Sequence, residues 1–159
     1  HMFREMRRAK QQLTKEECIR ILKENKRCVL AVLGDSGYPY AIPLNYFYDE
    51  TSGKIYFHGA KSGHKIDALH KNSKVSFCTY DNGYIEEGDW AYTVKSVIIF
   101  GRIRFIENHE ETINLVRKLA LKYYPTAEEV EKEIEKDGKF VQVLELTIEH
   151  LSGKRIHEK

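Results

Sequence analysis

Residues 90–107 form a run dominated by β-branched and aromatic side chains, and at that length it exceeds the roughly 5–6 residues of an ordinary strand. Gly101 stands inside the run, where a glycine marks a bulge or a bend. A strand this long that also bends belongs to a sheet that curls. The feature therefore predicts a barrel-like sheet before any other element is considered.

The rest of the chain supplies partners for such a sheet. Residues 28–33 are a short continuous apolar run and read as a strand buried on both faces. Residues 38–48 read as a second strand, interrupted by Pro39 and Pro43, which donate no ladder hydrogen bond and so imply an edge or barrel rim. A turn over 49–53 leads to a third strand that includes Ile55, Tyr56 and Phe57, with further strands at 74–80 and 140–148. Thr14 and Glu17 form a capping box for a helix running to about Asn25, with Cys18, Ile21 and Leu22 as its buried stripe. Asn108 with Glu111 starts another helix, whose apolar side is Ile113, Leu115, Val116, Leu119, Ala120 and Tyr123, and Pro125 stops it. Thr126 and Glu129 then cap a shorter, acidic helix that ends near Gly138. No internal repeat is present. The expectation is six or seven strands with two to four inserted helices, a β-rich α+β barrel-like domain over residues 14–154. Residues 1–13 read as a loose basic arm, with His1 left from an expression tag, and 155–159 as a tail.

Composition narrows the function. A chain of 159 residues suits one domain with a sizeable core. Its 26 basic and 24 acidic side chains leave a net charge of +2 without a basic stripe, so nucleic acid is not an expected partner. Cys18, Cys28 and Cys78 are odd in number and form no CxxC pair, which predicts neither disulfides nor a thiolate metal site and suits a reduced, cytoplasmic setting. The six-residue run 28–33 is far short of the roughly 20 apolar residues needed to span a bilayer, and no signal peptide precedes it. A soluble protein without membrane partners is expected.

The chemistry concentrates in residues 55–69, which pass from strand to small-residue loop to helix. Gly59, Ala60 and Gly63 allow a sharp turn and close approach of a ligand. Lys61, Ser62, His64 and Lys65 place donors around the start of the helix. The first N–H groups of a helix lack internal partners and carry positive partial charge, so a phosphate is stabilised there. A polar strand-to-helix turn whose glycines serve only the backbone fits the same residues. His58, His64 and His70 lie six residues apart, a spacing that does not align metal ligands on one helix face.

Three blocks carry a resemblance. Gly37-Tyr-Pro-Tyr-Ala-Ile-Pro-Leu-Asn-Tyr46, Ile55-Tyr-Phe-His-Gly-Ala60 followed by Gly63-His-Lys-Ile-Asp-Ala-Leu69, and Ser96-Val-Ile-Ile-Phe-Gly101 resemble consecutive blocks of the pyridoxamine 5′-phosphate oxidase-like, FMN-binding split-barrel proteins. The nitroimidazole-resistance, or Nim-type, branch is the most similar, and the likeness runs from about Thr14 to Lys154. It implies a six-stranded antiparallel split β-barrel with peripheral helices, assembled as a homodimer with two FMN molecules at the subunit interface. It further implies that Pro43, Leu44, Asn45 and Tyr46 lie along the isoalloxazine ring. His58, Gly59 and Ala60 with His64 and Lys65 would surround the ribityl phosphate, and Ser96, Val97 and Ile98 would close the pocket. Lys61 and Lys65 give the phosphate, at about −1.5 to −2 charge, a counter-field.

True pyridoxamine-phosphate oxidases use additional arginines for the substrate phosphate, and no matching arginine-rich terminal block stands in this chain. The reading is an FMN-dependent oxidoreductase of flavin-reductase or nitroreductase type, passing electrons to a small, aromatic acceptor with NAD(P)H as a donor. The alternative is a non-catalytic FMN- or haem-binding storage or sensor protein, and a deazaflavin in the same groove is a third form. Trp90 and Tyr92 suit either a ligand wall or an interface.

Overall fold

The computed structural model describes residues 3–159, so the reading of His1 as a tag remnant falls outside the described residues. One antiparallel sheet organises them. Its strands are β1 (Arg27–Leu33), β2 (Pro39–Asn45), β3 (Phe47–Asp49), β4 (Lys54–Ala60), β5 (Lys74–Tyr80), β6 (Thr93–Ile106) and β7 (Val141–His157), in the order β2-β1-β5-β6-β7-β4-β3. The two edge strands, β2 and β3, are consecutive in the chain and separated by Tyr46 alone. The sheet therefore curls until its edges meet, a split barrel whose seven strands fall within the six or seven read from the pattern and exceed by one the six that the resemblance implied. The extra strand arises because residues 38–48 break at Tyr46 and not at either proline. Pro39 and Pro43 sit within β2, opposite Leu33 and Val29, and β2 is an edge strand as the prolines require.

The bend expected at Gly101 is a register shift between Phe100 and Gly101 in the β6–β7 ladder. A side chain at Gly101 would collide with the Thr147 carbonyl and Leu146, so only glycine lets the two long strands cross so closely.

Four α-helices decorate the barrel: α1 (Lys15–Glu24), α2 (His64–Lys71), α3 (His109–Leu121) and α4 (Ala127–Asp137). Thr14 and Glu17 form the expected capping box on α1, while Asn108 and Thr126 cap α3 and α4 by accepting from the Glu111 and Glu129 N–H groups. The main core lies inside the barrel, where Leu22, Leu30, Ile55, Phe57, Phe77, Val97, Ile99 and Leu146 are inaccessible to solvent. A second cluster, including Tyr56, Ile106, Leu115 and Leu119, packs α3 against the outside of β4 and β7.

Three expectations change. β1 is not buried on both faces: its residues alternate, with Val29 and Leu33 pointing outward, because helices cover only part of the barrel. β7 continues through His157, so residues 155–157 of the expected tail are paired strand opposite Thr93 to Lys95. The arm is also attached: Phe3 stacks on His150, Gln12 bridges to Lys154, and Leu13 is buried. Among the described residues no helix is long and apolar enough to cross a membrane.

Candidate functional site

The end of β4 and the start of α2 come together as the pattern of residues 55–69 requires. β4 delivers His58, Gly59 and Ala60, and the chain turns through Gly63 at φ +128°, a conformation that favours glycine, into α2. Gly63 offers no capping side chain, so the first turn of α2 keeps its amides free, unlike the Thr14, Asn108 and Thr126 starts of the other helices. Lys65 reaches back over β4: a Cβ at Gly59 would lie 3.1 Å from its Nζ. The absence of that Cβ is what lets the ammonium sit against the strand.

Electrostatics follow from this packing. Burial lowers the Lys65 pKa below its ordinary value, and desolvation followed by the Lys65 cation lowers that of His58. Although the edge of His58 is open to solvent, its imidazole is thereby held neutral at pH 7. An anion beside Lys65 would restore the lost solvation of that cation.

His64 is partly committed elsewhere. Its ring stacks on Tyr40 at 4.2 Å, and its Nε2 accepts from the Asp35 N–H at 3.3 Å, tying α2 to the β1–β2 turn. Gly34 makes room for it, since a Cβ there would stand 3.2 Å from that nitrogen. Lys61 is exposed at the loop tip.

The β2 block divides. Pro43 and Asn45 face outward, Leu44 is half-buried, and Tyr46 is wholly inside the barrel, its ring edge-on to Phe77 at 5.0 Å and its hydroxyl donating to the Leu22 carbonyl at 2.7 Å. The Tyr46 backbone is engaged too: its N–H donates to the Tyr123 hydroxyl at 2.9 Å and its carbonyl accepts from Lys122 at 3.1 Å. Val97 is likewise a barrel-core side chain, and Ser96 lies half-buried on the outer face beneath the N-terminal arm. Asn45 and His58 meet on a common cavity wall, whereas Pro43 borders a separate depression beside Cys78 and Tyr80. The twelve positions thus resolve into a cluster at 58–65, an outward strip at 43–45, two core side chains, Tyr46 and Val97, that position strands, and Ser96, which lies apart beside the N-terminal arm.

Sequence reasoning missed two groups. Lys122 donates to the Asn25 and Tyr46 carbonyls and lies 4.0 Å above the Tyr46 ring, where burial pulls its pKa down to about 8. Glu145, hidden in an apolar run, is buried and accepts from Tyr56 at 3.0 Å, Lys54 at 3.3 Å and Arg104 at 3.0 and 3.2 Å. The break in strand pairing at Tyr46 and the isolated acid at 145 were the only signals.

The fold is that of the split-barrel class, and the comparisons agree. The sequence model of the family described as pyridoxamine 5′-phosphate oxidase matches residues 14–155. This chain belongs to that family. A comparison with curated proteins found no match. Among solved structures, a candidate 5-nitroimidazole antibiotic resistance protein from Bacteroides thetaiotaomicron is similar at 19% identity and a TM-score of 0.77, over 92% of this chain and 87% of that one. An FAD-binding protein from Mesorhizobium loti is similar at 23% identity and TM-score 0.65, over 92% and 97%. An FAD and heme binding protein from Mycobacterium smegmatis aligns at 17% identity and TM-score 0.72, over 91% and 72%. At these identities the likeness is one of fold.

Proposed function

We propose that this protein binds FMN and acts as a flavin-dependent oxidoreductase on a small, aromatic acceptor. The observation that carries the reading is the uncapped start of α2, whose own Lys65 lays its ammonium against Gly59 of β4. Free helix amides, a partly buried ammonium and the exposed Lys61 form a cradle suited to a terminal, doubly charged phosphate, and Gly63 leaves it open, with no atom near the position of a Cβ. The residues present therefore fit the group. Flavin-binding proteins among the similar folds support the same assignment.

Bound flavin would supply the hydride or electron transfer, and NAD(P)H is the proposed donor. The chain's own work is to bind and orient: Lys61, Lys65 and the α2 amides hold the phosphate, His64 fixes α2 against Tyr40 and Asp35, and Pro43, Leu44 and Asn45 offer an outward strip beside it. Neutral His58 is a hydrogen-bonding group at the strip's edge and not a second cation.

Homodimerisation is part of the proposal. Val29 and Leu33 on β1, Tyr80 on β5 and Ile98 and Phe100 on β6 are exposed on one outward sheet face, and a second copy would cover them. The three free cysteines suit the cytoplasmic setting expected above.

The test is the visible spectrum of the purified protein, followed by titration with FMN, FAD and riboflavin. Flavin bands and a preference for FMN over riboflavin are expected, with Lys65→Ala weakening FMN but not riboflavin by about 10-fold or more, the worth of a charge-assisted hydrogen bond. Equal affinity for FMN and riboflavin would refute the phosphate cradle. A Soret band with no flavin binding would replace the flavin by haem.

A further inference from the structure

The inserted helices wall a cavity that shares only Asn45 and His58 with the proposed flavin site. Its volume is about 300 Å³, and its walls are Val116, Leu119 and Ala120 of α3, Val130 and Ile134 of α4, and Val141 at the start of β7. An apolar cavity of about 150 Å³ suffices for benzene, so this one holds a substituted single ring. Apolar walls of this kind favour an apolar ligand over contact with water.

The polar groups are confined to its rim and are of unlike sign. On the α4 side stand the Glu133 and Asp137 carboxyls. The neighbouring Asp137 carboxyl is the main influence raising the Glu133 pKa, and Lys136 beside them acts in the opposite direction. A ligand cation would relieve the repulsion between the two carboxylates. At the other side are Asn45 and the neutral imidazole of His58, with Lys65 beyond it. The Tyr123 hydroxyl also borders the space but is spent on the Tyr46 backbone. The lining thus combines carboxyls from α4, an amide and a neutral imidazole from β2 and β4, and hydrocarbon from α3, α4 and β7.

We propose that this cavity is a second binding site, specific for a small apolar amine whose ring lies between α3 and α4 and whose ammonium meets Glu133 and Asp137. The opposite end of the guest meets Asn45 and His58, the two residues through which the cavity borders the proposed flavin strip. The site is built from this chain alone and stands whether or not flavin binds.

Three probes of one shape test it: 2-phenylethylamine, the neutral 2-phenylethanol and the anionic phenylacetate, titrated into the purified protein with its native cofactor content and followed by amide chemical shifts. Shifts should centre on α3, α4 and Val141, and affinity should fall from amine to alcohol to acid, the amine exceeding the alcohol by about three- to tenfold as for a partly exposed ion pair. The Glu133→Gln/Asp137→Asn double variant should erase that preference and leave alcohol binding unchanged. Ile134→Trp, which fills the space, should weaken all three. No binding, shifts centred elsewhere, or equal affinities for the three probes would overturn the proposal. Flavin binding without amine binding would remove this site and leave the flavin cradle intact, whereas amine binding in a protein that takes no flavin would uphold this site alone.

Discussion

Replacing Glu145 by glutamine probes how β4, the strand that carries His58 and Gly59, is held. Glu145 pairs with Tyr56 on β4 and Arg104 on β6 in the strand register, so its carboxylate ties together the three strands beneath His58 and Gly59. The substitution keeps the shape and removes the charge. Breaking a fully buried pair costs about 3–5 kcal/mol, but here the Arg104 and Lys54 side chains are 58% and 34% exposed and rehydrate when the anion is lost. Tyr56 still has an amide oxygen to donate to, so the expected loss at pH 7 is about 1–2 kcal/mol. With a urea dependence of about 1–3 kcal/mol per molar, the midpoint followed by circular dichroism should fall by about 0.3–2 M.

The pH profile supplies a second check. Burial alone would raise the Glu145 pKa, but hydrogen bonds from Arg104, Tyr56 and Lys54 outweigh it and leave the folded value below the ordinary one. The unfolded carboxyl titrates near about 4.3, so its contribution is complete above that pH and is lost as pH falls through the folded pKa. The gap between wild type and Glu145→Gln should therefore shrink below about pH 4. A gap under about 0.5 kcal/mol at pH 7, within the usual range for surface changes, would refute the argument. A gap that stays constant from pH 6 to pH 3 would refute it equally.

Gly59→Ala should leave thermal stability within about 0.5 kcal/mol of wild type, because the new Cβ meets only the flexible end of Lys65, yet lower FMN affinity severalfold by displacing that ammonium. Flavin titration beside thermal melts separates the two effects, and unchanged affinity would move the phosphate elsewhere. Gly101→Ala, by contrast, meets the Thr147 backbone and should cost about 1–3 kcal/mol in urea unfolding, with loss of the long β6–β7 pairing in amide exchange. Lys122→Met tests the buried amine. The folded amine releases its proton near 8 while the unfolded one holds it to about 10.4, so wild type should gain stability relative to the variant as pH rises from 8 to 10. Paired melts across that range check the sign, and a gap that narrows would show that the charged form is the favoured one.

Much of this architecture was legible in the chain. Local chemistry settled the helix starts, because Thr14, Asn108 and Thr126 satisfy amides within three residues of themselves. Gly101 marked the bulge because no other residue permits the crossing. The loop at 59–65 was readable for the same reason: small residues and donors adjacent in sequence remain adjacent in space.

What escaped was decided at long range. Lys122 lies 97 residues from the Asn25 carbonyl it caps, and Glu145 meets partners 91 and 41 residues away, so no window of sequence contains either cluster. The outward face of β1 was misread as buried because an apolar run cannot report which side a helix covers. Tyr46 and Val97, adjacent in the pattern to exposed positions, turned into the core because strand alternation and the break at Tyr46 assign faces one residue at a time. The sequence by itself determined the strand-rich pattern, the helix caps and the small-residue turn from β4 into α2, all of which act over a few residues. The tertiary structure alone decided which side chains face solvent, which charges are buried together, and that two helices enclose a cavity beside the site, since each depends on distant segments excluding water from the same space.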